Sequence, residues 1–360
     1  MGEAAGQTAQ EAPPILDPAC GQGSLYSALA YQRRRIRYPR ASQIENKIEY
    51  CRVTSKATFE PRCLLIVGES GVGKTSLIQE YLAKHPRREV SGGTIVPVLF
   101  SQIPTPATIK EMLTHMLFAL GDPSPAQGTT AALTIRLVSM LRQCKVELII
   151  LDEFQHFIEQ KNARGLREVS EWLKTFLNMA KLPVVLVGMP DCRLVLLGNP
   201  QLLRRFSFQA RLDPFEWAGD KKKEFIRFLG EISVNLPIKT RPDFTDIEAA
   251  KRVYWATEGR AGRVFNLIHR ATELALEKEL DLVDPPSFSE AYRETLAAFY
   301  RDETDPFLGD APEIDPDGKP VRLNHSAAGE EELQKRFKRP SSKKGSAAKD
   351  FAQSMAGKPA

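Results

Sequence analysis

Short, continuous apolar runs alternate along the first two thirds of the chain with longer stretches whose apolar residues recur every three or four positions. Cys63-Leu64-Leu65-Ile66-Val67, bounded by Pro61 and Gly68, has the pattern of a strand buried on both faces. Comparable runs lie at 94–100, 147–151 and 183–188, and a fifth strand is expected at 206–212. Helical spacing fills 74–84, 107–120, 130–143 and 167–181, after a first helix around 41–55. Strands alternating with helices predict an α/β fold, with a parallel five-stranded sheet between helices. Beyond Trp217 the spacing becomes purely helical, at 221–232, 246–257, 262–278 and 287–300, which predicts a small all-helical domain.

The ends differ from this body. Residues 1–35 are expected to form a flexible arm rich in Ala, Gly, Gln and Pro. Residues 36–216 form the α/β core and 217–302 the helical domain. Residues 303–360, rich in Asp, Pro, Gly and Lys, are expected to stay disordered because they bury little apolar surface. Charge sharpens the division. The 360 residues carry a formal +5, yet residues 333–360 hold eight basic side chains against Asp350 alone, so the remainder sums to about −2. The positive balance therefore belongs to the tail.

No apolar stretch approaches the roughly 18 residues a membrane helix needs, and the amino-terminal residues lack the pattern of a signal peptide. No membrane partner is expected, and a cytoplasmic, nucleoid-associated location is. The five cysteines, Cys20, Cys51, Cys63, Cys144 and Cys192, are scattered without a C-x-x-C pair and suggest neither a disulfide framework nor a zinc site.

Gly68-Glu69-Ser70-Gly71-Val72-Gly73-Lys74-Thr75 matches the phosphate-loop pattern G-x-x-x-x-G-K-[ST], following an expected strand and opening an expected helix that continues with Ser76. Backbone N–H groups of such a loop face phosphate, Lys74 brings a cation to it, and the Thr75 hydroxyl is placed for Mg²⁺. The run Glu147-Leu148-Ile149-Ile150-Leu151 ends in Asp152-Glu153, at the end of a strand where ligands of open α/β sheets bind. Asp152 is expected to hold Mg²⁺ through water and Glu153 to act as general base. No N-K-x-D guanine motif is present, so ATP is the expected nucleotide.

The order Leu64 to Thr75, then Leu151-Asp152-Glu153-Phe154-Gln155-His156, then Val185-Leu186-Val187-Gly188-Met189-Pro190 resembles the TniB family of transposition helper ATPases, AAA+ relatives of TnsC and MuB. The resemblance runs from about Arg37 to Phe299. It implies an AAA+ P-loop NTPase core followed by a helical lid, and a regulator that assembles as a homo-oligomer, ring or helical filament, on double-stranded DNA. Such a regulator recruits or activates a DDE-type transposase and does not itself cut DNA. It further implies a first sensor position on 183–188, where Gly188-Met189 stands in place of the usual Asn or Thr. A trans-acting arginine finger is implied just before the fifth strand, with Arg205 preferred over Arg204. A second sensor is implied in Glu258-Gly259-Arg260-Ala261-Gly262-Arg263, with Arg263 as the candidate. Two solvated arginines, and a helix cap beside an exposed arginine, are the plain alternatives for these last two.

His156 is a candidate relay of nucleotide state, with a packed strand-end histidine the commoner outcome, and the aromatic set Phe154, Phe157, Trp172 and Phe176 reads as core. DNA binding without base readout needs only a few backbone contacts per copy, multiplied in an assembly. By analogy with the family these come from the helices between the second and third strands, with Lys110, Thr134 and Arg136 as candidates. The basic tail adds salt-sensitive DNA attraction, binds the transposase, or is merely a solubilising extension. Two other functions fit the motifs: an AAA+ or STAND-type ATPase, signalling or secretion-associated, acting on a protein partner, and a nucleotide-binding module with little turnover.

Overall fold

A computed structural model describes residues 38–55, 60–159, 163–300 and 304–322. The expected arm 1–35 and the basic segment 333–360 lie outside the described residues.

The core runs in chain order through α1 (Pro39–Thr54), β1 (Leu64–Val67), α2 (Lys74–Ala83), β2 (Arg88–Val90), β3 (Gly93–Ile95), β4 (Val98–Gln102), α3 (Ile109–Leu120) and α4 (Thr130–Gln143). It continues with β5 (Leu148–Asp152), α5 (His156–Glu159), α6 (Ala163–Ala180), β6 (Val184–Gly188), α7 (Arg193–Leu197), α8 (Pro200–Arg205) and β7 (Phe208–Arg211). The helical part holds α9 (Lys222–Asn235), α10 (Ile247–Thr257), α11 (Ala261–Glu277), α12 (Pro285–Thr295) and α13 (Ala297–Tyr300), with the two-residue strands β8 (Lys239–Thr240) and β9 (Leu282–Val283) paired between them.

Five parallel strands form the main sheet in the order β4-β5-β6-β1-β7. Their side chains alternate between faces, as the two-residue period of a strand requires. Leu64, Ile66, Ile150, Val185 and Val187 enter one apolar cluster with α1 and α2, whereas Leu65, Val67, Ile149, Leu151, Val184 and Leu186 enter the other with α3, α4, α6 and α7. Burial on both faces explains why these runs are continuously apolar rather than alternating.

The single strand expected at 94–100 is two. Pro97 carries no N–H for a ladder, so Gly93–Ile95 pairs with β2 in a separate hairpin and only Val98–Gln102 joins the sheet. Its carbonyl still accepts from the Glu147 amide at 2.9 Å.

The helical part does not keep a core of its own. One buried cluster extends from the sheet face through Phe215, Phe225 and Phe228 to Trp255, Ile268 and Phe288. Tyr38 joins the two, with its ring 5.2 Å from both Phe215 and Phe228. Burial pushes the Tyr38 phenol up to about 12.

Residues 304–322 correct the expectation of disorder after residue 302. They pack along α10 and α12, with the buried Phe307 stacked on Phe288 at 5.4 Å and Arg322 over the Trp255 ring at 4.0 Å. Arg252 donates to the carbonyls of Pro306 and Gly309 at 2.7 and 2.9 Å, Tyr254 to Gly318 at 3.0 Å, and Trp255 to Val321 at 3.1 Å. Low apolar content misled because the order comes from lid side chains that satisfy the segment's backbone.

Candidate nucleotide site at the carboxyl ends of the central strands

After β1 the chain crosses to β4 on one side of the sheet, and after β6 it crosses to β7 on the other. Loops leaving the carboxyl ends of β1 and β6 therefore part and leave a crevice, which β5 flanks. Three sequence features meet there: the loop Gly68–Thr75, the acid pair Asp152-Glu153, and Gly188-Met189.

The Lys74 ammonium donates to the carbonyls of Gly68 and Glu69, both at 2.8 Å. Burial lowers its pKa, against the opposing pull of Glu153 and Asp152. The Thr75 hydroxyl donates to Asp152 Oδ2 at 2.9 Å, bringing together residues 77 positions apart. Asp152 is fully buried, and burial holds its carboxyl above the usual carboxylate range despite hydrogen bonds from the Glu153 amide and Thr75. A hydroxyl and one carboxylate are hard oxygen donors suited to Mg²⁺, which keeps waters and takes phosphate oxygens for the remainder of its shell. Among the described residues no group of three or more His, Cys, Asp and Glu could hold a metal alone. The donor set thus fits an ion brought in with a phosphate ligand.

The remaining loop positions divide by role. Val72 is buried in the core, Ser76 lies exposed on the first turn of α2, and Glu69 turns its carboxylate to Arg260 at 2.6 Å. The lid sits directly on this loop. Gly262 N donates to the Gly71 carbonyl at 2.8 Å, and a Cβ on Gly262 would stand 2.7 Å from that same oxygen, so only glycine permits the approach.

Arg263 pairs with Glu258 Oε2 at 3.0 Å and lies alongside Gly71, whereas Arg260 hydrogen-bonds the loop itself, with Nη1 donating to the Ser70 carbonyl at 2.9 Å. The motif points to Arg263 and gives Arg260 no role. The available signal was the helix start: Arg260 is the N-cap of α11, and a side chain at that position faces what the helix terminus faces.

Glu153 lies just past β5 with φ +57°, and its carboxylate accepts from the Gln155 amide. Gln155 is a second residue to which the motif pattern assigns no task. His156 Nδ1 lies 3.0 Å from the Ile103 carbonyl and 3.2 Å from Thr105 Oγ1, while its Nε2 stands 3.9 Å from Glu153. It therefore joins the acid pair to the loop that follows β4. Phe154, Phe157 and Phe176 are buried core residues.

Arg204 and Arg205 lie elsewhere. Arg204 pairs with Glu60 at 3.1 Å and Arg205 with Asn178 at 2.5 Å. The Arg205 carbonyl accepts from Cys63 N at 2.9 Å, which fixes it at the amino end of β1. The P-loop leaves the opposite end, a strand length of about 13 Å away, so neither arginine serves its own loop.

Two of the three DNA candidates need correction. Thr134 is buried, with its hydroxyl donating to the Thr130 carbonyl at 2.8 Å and accepting from Trp172 Nε1 at 3.2 Å. Arg136 is turned onto its own loop: it pairs with the buried Asp122 at 2.9 Å and donates to the carbonyls of Ser124 and Gln127. Thr134 is spent inside the fold, the half-exposed Arg136 has its guanidinium engaged on its own loop, and Lys110 is exposed. Cys51, Cys63, Cys144 and Cys192 are buried free thiols. No described helix is long and apolar enough to cross a membrane.

The AAA+ P-loop fold is shared with solved structures of ORC and Cdc6 proteins. The chain is similar to the ORC2 protein of Aeropyrum pernix, solved as ADPNP-ADP complexes, at 15% identity and TM-score 0.53, covering 73% of this chain and 71% of that one. The Cdc6p of Pyrobaculum aerophilum matches at 15% and 0.53, covering 74% and 71%. The Aeropyrum pernix ORC1 protein in complex with DNA matches at 15% and 0.52, covering 72% and 66%. No curated protein matches the chain. The model of the bacterial TniB protein family matches residues 27–216, more than half of the sequence, and takes in the phosphate loop, the acid pair and both arginines before β7. The chain belongs to the TniB family.

Proposed function

We propose that this protein is a Mg²⁺-dependent, slowly turning ATPase that assembles on double-stranded DNA and recruits or activates a DDE-type transposase. The contact of Thr75 with Asp152 beside Lys74 carries the nucleotide half of this reading. It joins the loop after β1 to the acid after β5 in the crevice where α/β sheets bind ligands. Lys74, the loop amides and Arg260 bind the phosphates, and Arg263 adds charge from the lid. Thr75 and Asp152 would hold the metal ion, which would supply neutralisation of phosphate charge when bound. Glu153 accepts the proton of the attacking water as the bond to the leaving β-phosphate oxygen breaks.

Arg205, with Arg204 beside it, reaches the nucleotide of the next copy. Its position at the far end of β1 from its own loop suits action between subunits. DNA assembly and transposase partnership rest on family membership and agree with the DNA-bound state named for the ORC1 neighbour. Lys110 remains the candidate phosphate contact on α3.

Electron microscopy of the full chain with duplex DNA and a non-hydrolysable ATP analogue tests the reading. Rings or filaments that require both are expected, with affinity falling as salt rises. Binding to a protein partner with no nucleotide-dependent DNA association would instead support action on a protein.

A further inference from the structure

Strand β6 stands between the strands that carry the phosphate loop and the acid pair, yet it ends in Gly188-Met189 with no side chain able to donate or accept a strong hydrogen bond. Gln155 fills that place from the loop after β5. It is buried, its Oε1 accepts from Met189 N at 3.1 Å, and its Nε2 donates to Glu153 Oε2. Chemistry fixes the amide's orientation, because a backbone donor must face the oxygen and a carboxylate must face the NH₂. Gly188 makes room: a Cβ there would stand 2.6 Å from Gln155 Oε1 and 2.5 Å from Cys192 Sγ.

The backbone around Glu153 is also constrained. Its left-handed conformation is unfavourable for a residue with a Cβ and needs support from its surroundings. It is held by Phe154 N donating to the Val187 carbonyl at 3.0 Å and His156 N to the Glu153 carbonyl at 3.1 Å. Strand β6 therefore holds both the main chain after Glu153 and, through Gln155, its carboxylate.

We propose that Gln155 is a positioning residue for Glu153, supplying from an adjacent loop the polar group that the end of β6 lacks. Its NH₂ engages Oε2 and leaves Oε1 to take the proton of the attacking water. Leaving one carboxylate oxygen anchored and the other open fixes the direction of proton transfer, a gain in orientation rather than in nucleotide binding. This inference rests on the reading of Glu153 as general base.

The test measures ATP turnover and affinity for a fluorescent ATP analogue in the full chain. Gln155→Met, similar in volume without the amide, should lower kcat roughly tenfold or more while analogue affinity stays within about twofold. Gly188→Ala, which displaces the amide by contact, should reproduce that split. In a Glu153→Gln background Gln155→Met should cause no further loss, since the two act as a unit. Unchanged kcat, or an equal loss with and without Glu153, overturns the proposal. Affinity and kcat falling together in both variants overturns it also, because the tie is then only structural. If wild type and Glu153→Gln hydrolyse ATP equally, the general-base reading fails first and takes this inference with it; turnover that depends on Glu153 but not on Gln155 removes this inference alone.

Discussion

The loop Gly68–Thr75 and the helical hairpin Ile109–Gln143 both carry residues singled out from the sequence, and the structure treats them differently. In the loop, Lys74 and Thr75 stand beside Asp152 as the motif requires. In the hairpin, Thr134 and Arg136 turn inward to Trp172, Asp122 and their own loop. A phosphate loop is a backbone conformation that its sequence encodes locally. Which face of a helix meets a partner depends on what packs against it. Side chains on α4 have a neighbouring helix, α6, and a connecting loop competing for them.

The largest expected effects test the loop side of this contrast. Glu153→Gln should lower ATP turnover by about 10²- to 10⁴-fold with analogue affinity retained. A comparable loss of binding would make Glu153 a ligand contact rather than the base. Lys74→Ala should weaken analogue binding by roughly a hundredfold, because a charge-assisted contact to phosphate is lost; titration calorimetry would measure it, and near-normal binding would mean the loop does not hold phosphate.

The lid gives an intermediate case, in which motif and geometry name different arginines. Arg260→Ala is expected to weaken analogue binding by about tenfold, or about 1.4 kcal/mol, and Arg263→Ala by less. The reverse order would return the main role to Arg263 and show that Arg260 only braces Glu69.

The hairpin side predicts smaller and different changes. Thr134→Val removes the partner of Trp172 and should cost about 1 kcal/mol of stability, seen as a lower urea midpoint, while the salt dependence of DNA binding stays the same. Lys110→Ala should reduce that salt slope by about 1 and leave stability unchanged. A salt slope that responds to Thr134 and not to Lys110 would restore the original assignment.

The smallest effect concerns Lys74 without nucleotide. Burial lowers its pKa from 10.5, so in the folded protein it releases its proton at a lower pH than in the unfolded chain. Across the window between the lowered value and 10.5 the unfolded state binds more protons, and stability from this group rises with pH. Urea midpoints followed upward from pH 8 should climb relative to those of Lys74→Met; a constant difference between the two would show that burial of the ammonium carries no cost.

The strands were readable because each obeys two requirements that leave the same mark. Leu64 to Val67, Leu148 to Leu151 and Val184 to Val187 must fill cores on both faces, so every position is apolar. Pro97 was an equally local signal, and it explains why the run at 94–100 divides. The segment 304–322 was not readable, since its order depends on Arg252, Tyr254 and Trp255, more than fifty positions earlier.

The sequence alone determined the phosphate loop, the acid pair and the alternation of buried strands with helices, because each follows from backbone conformation or periodicity within a few residues. Only the tertiary structure decided that Gln155 serves the bare end of β6, that Arg260 reaches the loop, and that Arg136 is engaged by Asp122. Those outcomes join Gln155 to Met189, Arg260 to Ser70 and Arg136 to Asp122. Each depends on space a distant or facing element leaves free, as Gly188 does for Gln155 and Gly262 for Gly71, and such space exists only once the chain has packed.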